Sequence, residues 1–167
     1  SFTRPTGMME MDLFRKMTDE MKSHVLYMNF YFQGEPFLHP ELTKMFRYAH
    51  EQKIFTSTST NAHYLDEAMS KRVVESGLDR MIISIDGTTQ ETYEAYRVGG
   101  TLSKVIEGTK NIIAAKKQLN SRTPEIVFQF LVVKPNEHQV SDVKLLAEKL
   151  GVDDVVLKTA QVYEYEN

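Results

Sequence analysis

Residues Val25 to Asn61, VLYMNFYFQGEPFLHPELTKMFRYAHEQKIFTSTSTN, contain one full round of the pattern that decides the fold. Val25 to Phe32 is a short apolar and aromatic run and reads as a buried strand. Gln33 to Pro40, punctuated by Gly34, Pro36 and Pro40, reads as a loop. From Glu41 to Gln52, Leu42, Met45, Phe46 and Ala49 recur at helical spacing, with Pro40 suited to the first turn. Ile54 to Thr58 is β-branched and predicts a second strand, followed by a polar loop through Asn61.

The alternation continues on both sides. Met9, Leu13, Phe14, Met17 and Met21 form one face of a helix, the methionines filling the core. Asp66 suits a helix cap and Gly77 a helix stop. Met81 to Ile85 predicts a strand, Asp86-Gly87 a turn, and Gln90 to Tyr96 a short helix capped by Thr88 or Thr89. Leu102 to Leu119 predicts a longer helix, Glu125 to Val133 the longest strand, Ser141 to Leu150 a helix closed by Gly151, and Val155 to Lys158 a last strand. No Asn-Gly hairpin joins any two strands. Parallel strands with right-handed crossovers follow, in one α/β domain over residues 1–167. Periodicity alone leaves both an open doubly wound sheet and a curved partial barrel standing.

Composition excludes several classes of function. The 167 residues carry a net charge of −3, which argues against nucleic acid as a partner, since phosphates need a basic surface. No apolar run approaches a membrane span, and no leader pattern is visible, so a cytoplasmic, membrane-free protein is expected. There are no cysteines, hence no disulfide, thiolate metal site or cysteine nucleophile in this chain. The five histidines, His24, His39, His50, His63 and His138, lack zinc-site spacing and read as surface or loop residues.

In parallel α/β folds, ligands bind at the carboxyl ends of the strands. Those ends carry Gln33-Gly34-Glu35-Pro36, then Ser57 to Asn61, then Ser84 and Asp86 with Arg97 on the next segment, then Gln129, Lys134 and Asn136. A carboxylate such as Glu35 suits an ammonium, Arg97 suits a carboxylate, and Ser and Asn suit sugar hydroxyls. The same residues also read as a cap, turn formers and a surface cation. Asp153-Asp154 precede the last strand, at the far end, and read as solvated.

Four segments in order resemble the radical S-adenosylmethionine (SAM) enzymes. FYFQGEPFLHPEL (Phe30 to Leu42) resembles their GGEP motif, and TSTNAHYLD (Thr58 to Asp66) their TNG segment. MIISIDGTTQETYEAYRVGG (Met81 to Gly100) is similar to their ISIDG…R stretch, especially in members with a SPASM extension. TRPTGMMEMDLF (Thr3 to Phe14) is similar to the segment that follows the family's CxxxCxxC loop. The resemblance implies a partial (β/α) TIM-type barrel whose first strand and cluster loop are missing.

It also implies SAM as cofactor, with Gln33, Gly34, Glu35 and Pro36 near its amino group, and Ser84 and Arg97 near its carboxylate and ribose. Ser59 and Asn61 fall at ribose contacts, Asp86 beside the third strand's end, and Phe130 and Val132 near the adenine. Gln33 replaces the usual first glycine of GGEP, and Ala62 the glycine of TNG.

Family chemistry needs a [4Fe–4S] cluster on three thiolates, and an electron from an external donor then cleaves SAM to a 5′-deoxyadenosyl radical that abstracts hydrogen. With its cluster ligands absent, this chain alone is expected to be inactive, the cysteines preceding Ser1 in the complete enzyme. A peptide or protein substrate is implied by the SPASM likeness. The alternative is a non-catalytic barrel that binds or scaffolds. Without a first strand, the edge of the Val25 to Phe32 strand is exposed unless the Met9 to Met21 helix covers it, and self-association through that edge or marginal stability is expected.

Overall fold

The computed structural model describes residues 7–160. The Thr3–Thr6 portion of the opening segment therefore lies outside the described residues. Helices α1 (Met11–Met21), α2 (Leu42–Glu51), α3 (Glu67–Glu75), α4 (Gln90–Tyr96), α5 (Leu102–Gln118) and α6 (Val140–Leu150) alternate with strands β1 (Tyr27–Asn29), β2 (Phe55–Thr60), β3 (Arg80–Ser84), β4 (Glu125–Val132) and β5 (Asp154–Thr159), α4 and α5 both lying between β3 and β4. All neighbouring strands pair in parallel, in the order β1-β2-β3-β4-β5.

That order settles what periodicity left open. A doubly wound sheet reverses its strand order at a switch point and so receives helices on both faces. Here order in space equals order in sequence. Repeated right-handed crossovers then place the connecting helices α2 to α6 on the same face, as in a (β/α) barrel. The core agrees: Met81, Ile83 and Ile85 of the third unit and Ile126, Phe128 and Phe130 of β4 pack with Phe46, Val73, Tyr93, Val105, Ile112, Val143 and Ala147 from the helices. The register puts Thr56, Thr58 and Thr60 on that helix-covered face and leaves Ser57 and Ser59 on the other.

The sheet's other face is open and polar for a parallel sheet, which is ordinarily apolar on both sides. Across it in register lie Ser59, Ile82, Val127 and Asp154, then Ser84, Gln129 and Val156. Near its base Arg80 pairs with Glu125 at 2.6 Å.

Sequence expectations for element ends hold at three caps. Asp66 accepts from the Met69 N–H, Thr89 accepts from the Thr92 N–H, and Gly151 closes α6. The first strand departs from expectation. Only Tyr27–Asn29 form a strand, and Leu26 and Phe32 are 84% and 92% exposed. A buried parallel strand needs neighbours on both sides, and β1 has only β2 among the described residues. Pro40 also precedes the Glu41 cap of α2 and does not sit in the first turn. Met11 is buried in α1, whereas Met9 and Met17 are exposed along an apolar cleft of about 370 Å³ beside β1. Asp153 is tied down rather than solvated, accepting from the Ile126 N–H at 2.7 Å and from Lys116 at 2.8 Å.

Candidate functional site

Because the strands are parallel, the loops after β1, β2, β3 and β4 meet at one end of the sheet. The first loop is turned by Gly34, whose φ of +83° costs a glycine nothing. Empty space surrounds the position a Cβ would take, so it is backbone conformation, not crowding, that requires glycine here. Gln33 and Gly34 are exposed at the loop tip, and Glu35 and Pro36 are half-buried behind it.

Glu35 is spoken for by the protein. Its Oε1 accepts from the Phe37 N–H at 3.1 Å and from the Thr60 hydroxyl at 2.8 Å, and its Oε2 accepts from the Asn61 N–H at 2.8 Å. The carboxylate thus caps the short turn Pro36–Leu38 and clamps the first loop to the end of β2. The backbone around Gly34 is left facing outward.

Asn61 uses its side-chain oxygen to accept from the His63 N–H at 2.9 Å, an Asx turn. Ala62 adopts φ +61°, the left-handed region that favours glycine. His63 then bonds onward, Nδ1 to the Asn61 carbonyl at 2.9 Å and Nε2 to the Thr101 N–H at 3.1 Å.

The second half of the rim centres on Asp86, 1% exposed. Its Oδ2 pairs with Arg97 Nε at 2.6 Å, and its Oδ1 accepts from the Leu131 N–H at 2.9 Å. A buried carboxylate is tolerable only when so satisfied. Both oxygens being occupied, Asp86 orients Arg97 and ties β3 to β4. Arg97 ends α4, lies against Tyr96 with 5.9 Å from guanidinium to ring centroid, and has its terminal nitrogens left to donate. Asn136 braces the turn after β4, donating to the Asp86 and Leu131 carbonyls and accepting from the Val133 N–H.

The structure therefore brings Gln33, Gly34, Glu35, Pro36, Ser59, Asn61, Ser84, Asp86 and Arg97 to one rim. Phe130 and Val132 are placed differently. Phe130 is fully buried under the helices and Val132 shares its parity, so neither side chain reaches the open face. Gln129 and Leu131 occupy that face on β4 instead. The sequence placed Thr60 only within a run of hydroxyls and read His63 as a surface or loop residue, and both order the rim from behind.

The Radical SAM superfamily profile matches residues 1–147. The chain belongs to the radical SAM superfamily. It is 27% identical over 154 residues to a tungsten-containing aldehyde ferredoxin oxidoreductase cofactor-modifying protein of Pyrococcus furiosus, covering 90% of this chain and 43% of that protein. It is 25% identical over 149 residues to a PqqA peptide cyclase of Granulibacter bethesdensis, covering 89% of this chain and 38% of the relative. The chain thus spans less than half the length of these curated relatives. The crystal structure of SuiB from Streptococcus suis superposes with a TM-score of 0.74 at 15% identity, over 92% of this chain and 34% of that one. A form of SuiB bound to S-adenosylmethionine superposes equally well, with a TM-score of 0.74 at 15% identity over 90% of this chain and 34% of that one.

The donor set bears differently on the family's two cofactors. Backbone N–H and C=O groups at Gly34, hydroxyls at Ser59 and Ser84, and an oriented guanidinium at Arg97 suit an amino acid and ribose. An iron–sulfur cluster finds no partner here. The sequence contains no cysteine, and among the described residues no group of three or more His, Cys, Asp or Glu is arranged around a metal. Among them too, no helix is long and apolar enough to cross a membrane.

Proposed function

We propose that this chain is the SAM-binding barrel of a radical SAM enzyme that modifies a peptide or protein. Its own task is to hold and orient SAM at the rim. The observation that carries this is the Asp86–Arg97 pair: a buried carboxylate fixes a half-exposed guanidinium beside the ends of β3 and β4, its outer nitrogens free for a carboxylate. Gly34, Glu35 and Pro36 would present backbone to the SAM ammonium, Glu35 acting through the loop it clamps. Ser59 and Asn61 would face the ribose, and the β4 backbone beside Phe130 and Val132 the adenine.

SAM supplies a sulfonium whose C–S bonds can be cleaved. The cluster that reduces it in this family needs thiolates that this sequence does not hold, so the chain contributes binding and orientation and no redox step. The peptide-modifying role is supported by the relatives' names and by a SuiB structure bound to its precursor peptide. The absence of cysteine also favours a second reading, a barrel that binds without reacting.

Calorimetric titration of the chain with SAM tests the proposal. Saturable one-to-one binding is expected, weakened roughly 10-fold or more by Arg97→Lys, because a lysine keeps Asp86 paired but loses the planar fork. Absence of binding, or an unchanged affinity in Arg97→Lys, counts against it.

A further inference from the structure

The rim is two runs of hydrogen bonds joined through the Gly100–Thr101 peptide bond. Glu35 holds Asn61, Asn61 holds His63, and His63 reaches Thr101; Gly100 donates to the Arg97 carbonyl, Arg97 pairs with Asp86, and Asp86 holds Leu131. His63 is the side chain that joins the first half to the second beside Asn61. The loop's other side-chain tie to α5, Asn111 to the Leu65 carbonyl at 2.9 Å, lies at its far end.

The chemistry of this joint is specific about protons. Thr101 offers a backbone N–H, so Nε2 must accept and cannot carry hydrogen. The Asn61 carbonyl can only accept, so Nδ1 must donate. Both bonds exist together in one species alone, the neutral Nδ1–H tautomer. A second proton on Nε2 would set two donors against each other at 3.1 Å and break the joint.

We propose that His63 is a positioning residue, a latch that orders the SAM-facing rim only while its imidazole is neutral. Its bearing on SAM rests on the function proposed above; the latch itself does not. No carboxylate bonds to the ring to hold a second proton. Charged groups on the surrounding elements include Glu35 on the first loop, Asp66 and Glu67 at the start of α3, Glu91, Glu94 and Arg97 on and just after α4, and Lys104, Glu107 and Lys110 in α5. Of these, Glu35, Asp66 and Arg97 are already engaged with Asn61, Met69 and Asp86.

Amide hydrogen exchange on the ¹⁵N-labelled chain, read at a series of falling pH values, tests the latch. After correction for intrinsic exchange, protection of the Thr101 amide should fall about 10-fold or more on acidification, the equivalent of one lost hydrogen bond. Core amides such as Ile83 and Phe128 should keep theirs. In His63→Gln, an amide oxygen offers an acceptor that does not titrate, and Thr101 protection should not vary with pH. In His63→Phe it should be low throughout.

SAM affinity, measured in parallel, should weaken with acid in the wild type but not in His63→Gln. Thr101 protection independent of pH in the wild type, or an imidazole nitrogen spectrum showing the Nε2–H tautomer at neutral pH, overturns the latch. A chain that binds no SAM yet shows the Thr101 pattern overturns the functional proposal and leaves the latch standing.

Discussion

Ala62 holds a backbone conformation, φ +61°, that L-residues other than asparagine and aspartate avoid. Replacing it by glycine would relieve about 1–2 kcal/mol of strain. Against this stand about 0.8 kcal/mol for the lost buried methyl and roughly 0.4–1 kcal/mol for a freer unfolded chain. Ala62 is 1% exposed, so the methyl term applies in full. The terms nearly cancel, and Ala62→Gly should shift Tm by less than about 4 °C, whereas a β-branched Ala62→Val should lower it by more. Thermal melts of the two variants check this. The near-balance explains how an alanine can stand at a left-handed position. Glu35 teaches the complementary lesson: a motif carboxylate exposed on paper is, in the fold, consumed by Phe37, Thr60 and Asn61.

Between elements, the approach of α5 to the loop after β2 is the tightest constraint on the site. A Cβ on Gly108 would lie 2.3 Å from the Ala62 carbonyl oxygen, and that atom is backbone, which cannot swing aside. Gly108→Ala gains about 1 kcal/mol of helix propensity, but overpacking against backbone costs more, typically 1–3 kcal/mol and at the upper end here. Net destabilisation, seen as a lower urea midpoint together with weaker SAM binding, is the expected outcome.

At this scale much could be read in the sequence. Strand and helix order followed from changes of period, and Asp66 and Thr89 cap as their positions suggest. Side-chain parity was legible too. Gln129 and Phe130 are neighbours in a strand and must face opposite ways, which sets Phe130 and Val132 on the helix side. What could not be read were long-range partners. Nothing local tells that Thr60 serves Glu35 across 25 residues or that His63 serves Thr101 across 38. The eight-residue strand read at Val25 to Phe32 shrank to three for a similar reason: apolar composition signals burial but not how many neighbours a strand will have.

For the whole molecule, strand order carries the functional meaning. Sequential parallel strands put the connecting helices on one face, free the other for ligand, and gather every strand-end loop at one rim. The opposite end carries Lys116, Lys117 and Arg122 around an open cleft that Asn120, Ser121 and Asp153 also line. Composition had already excluded thiolate chemistry in this chain, and SAM binding is the role proposed for it. The most direct measurement is amide chemical-shift mapping of the labelled chain as SAM is added. Saturable shifts confined to Gly34 and Glu35, Asn61 to His63, Ser84 to Gly87, Arg97 and Leu131 are predicted. Shifts centred on Lys116 to Arg122, or none at millimolar SAM, would contradict the account.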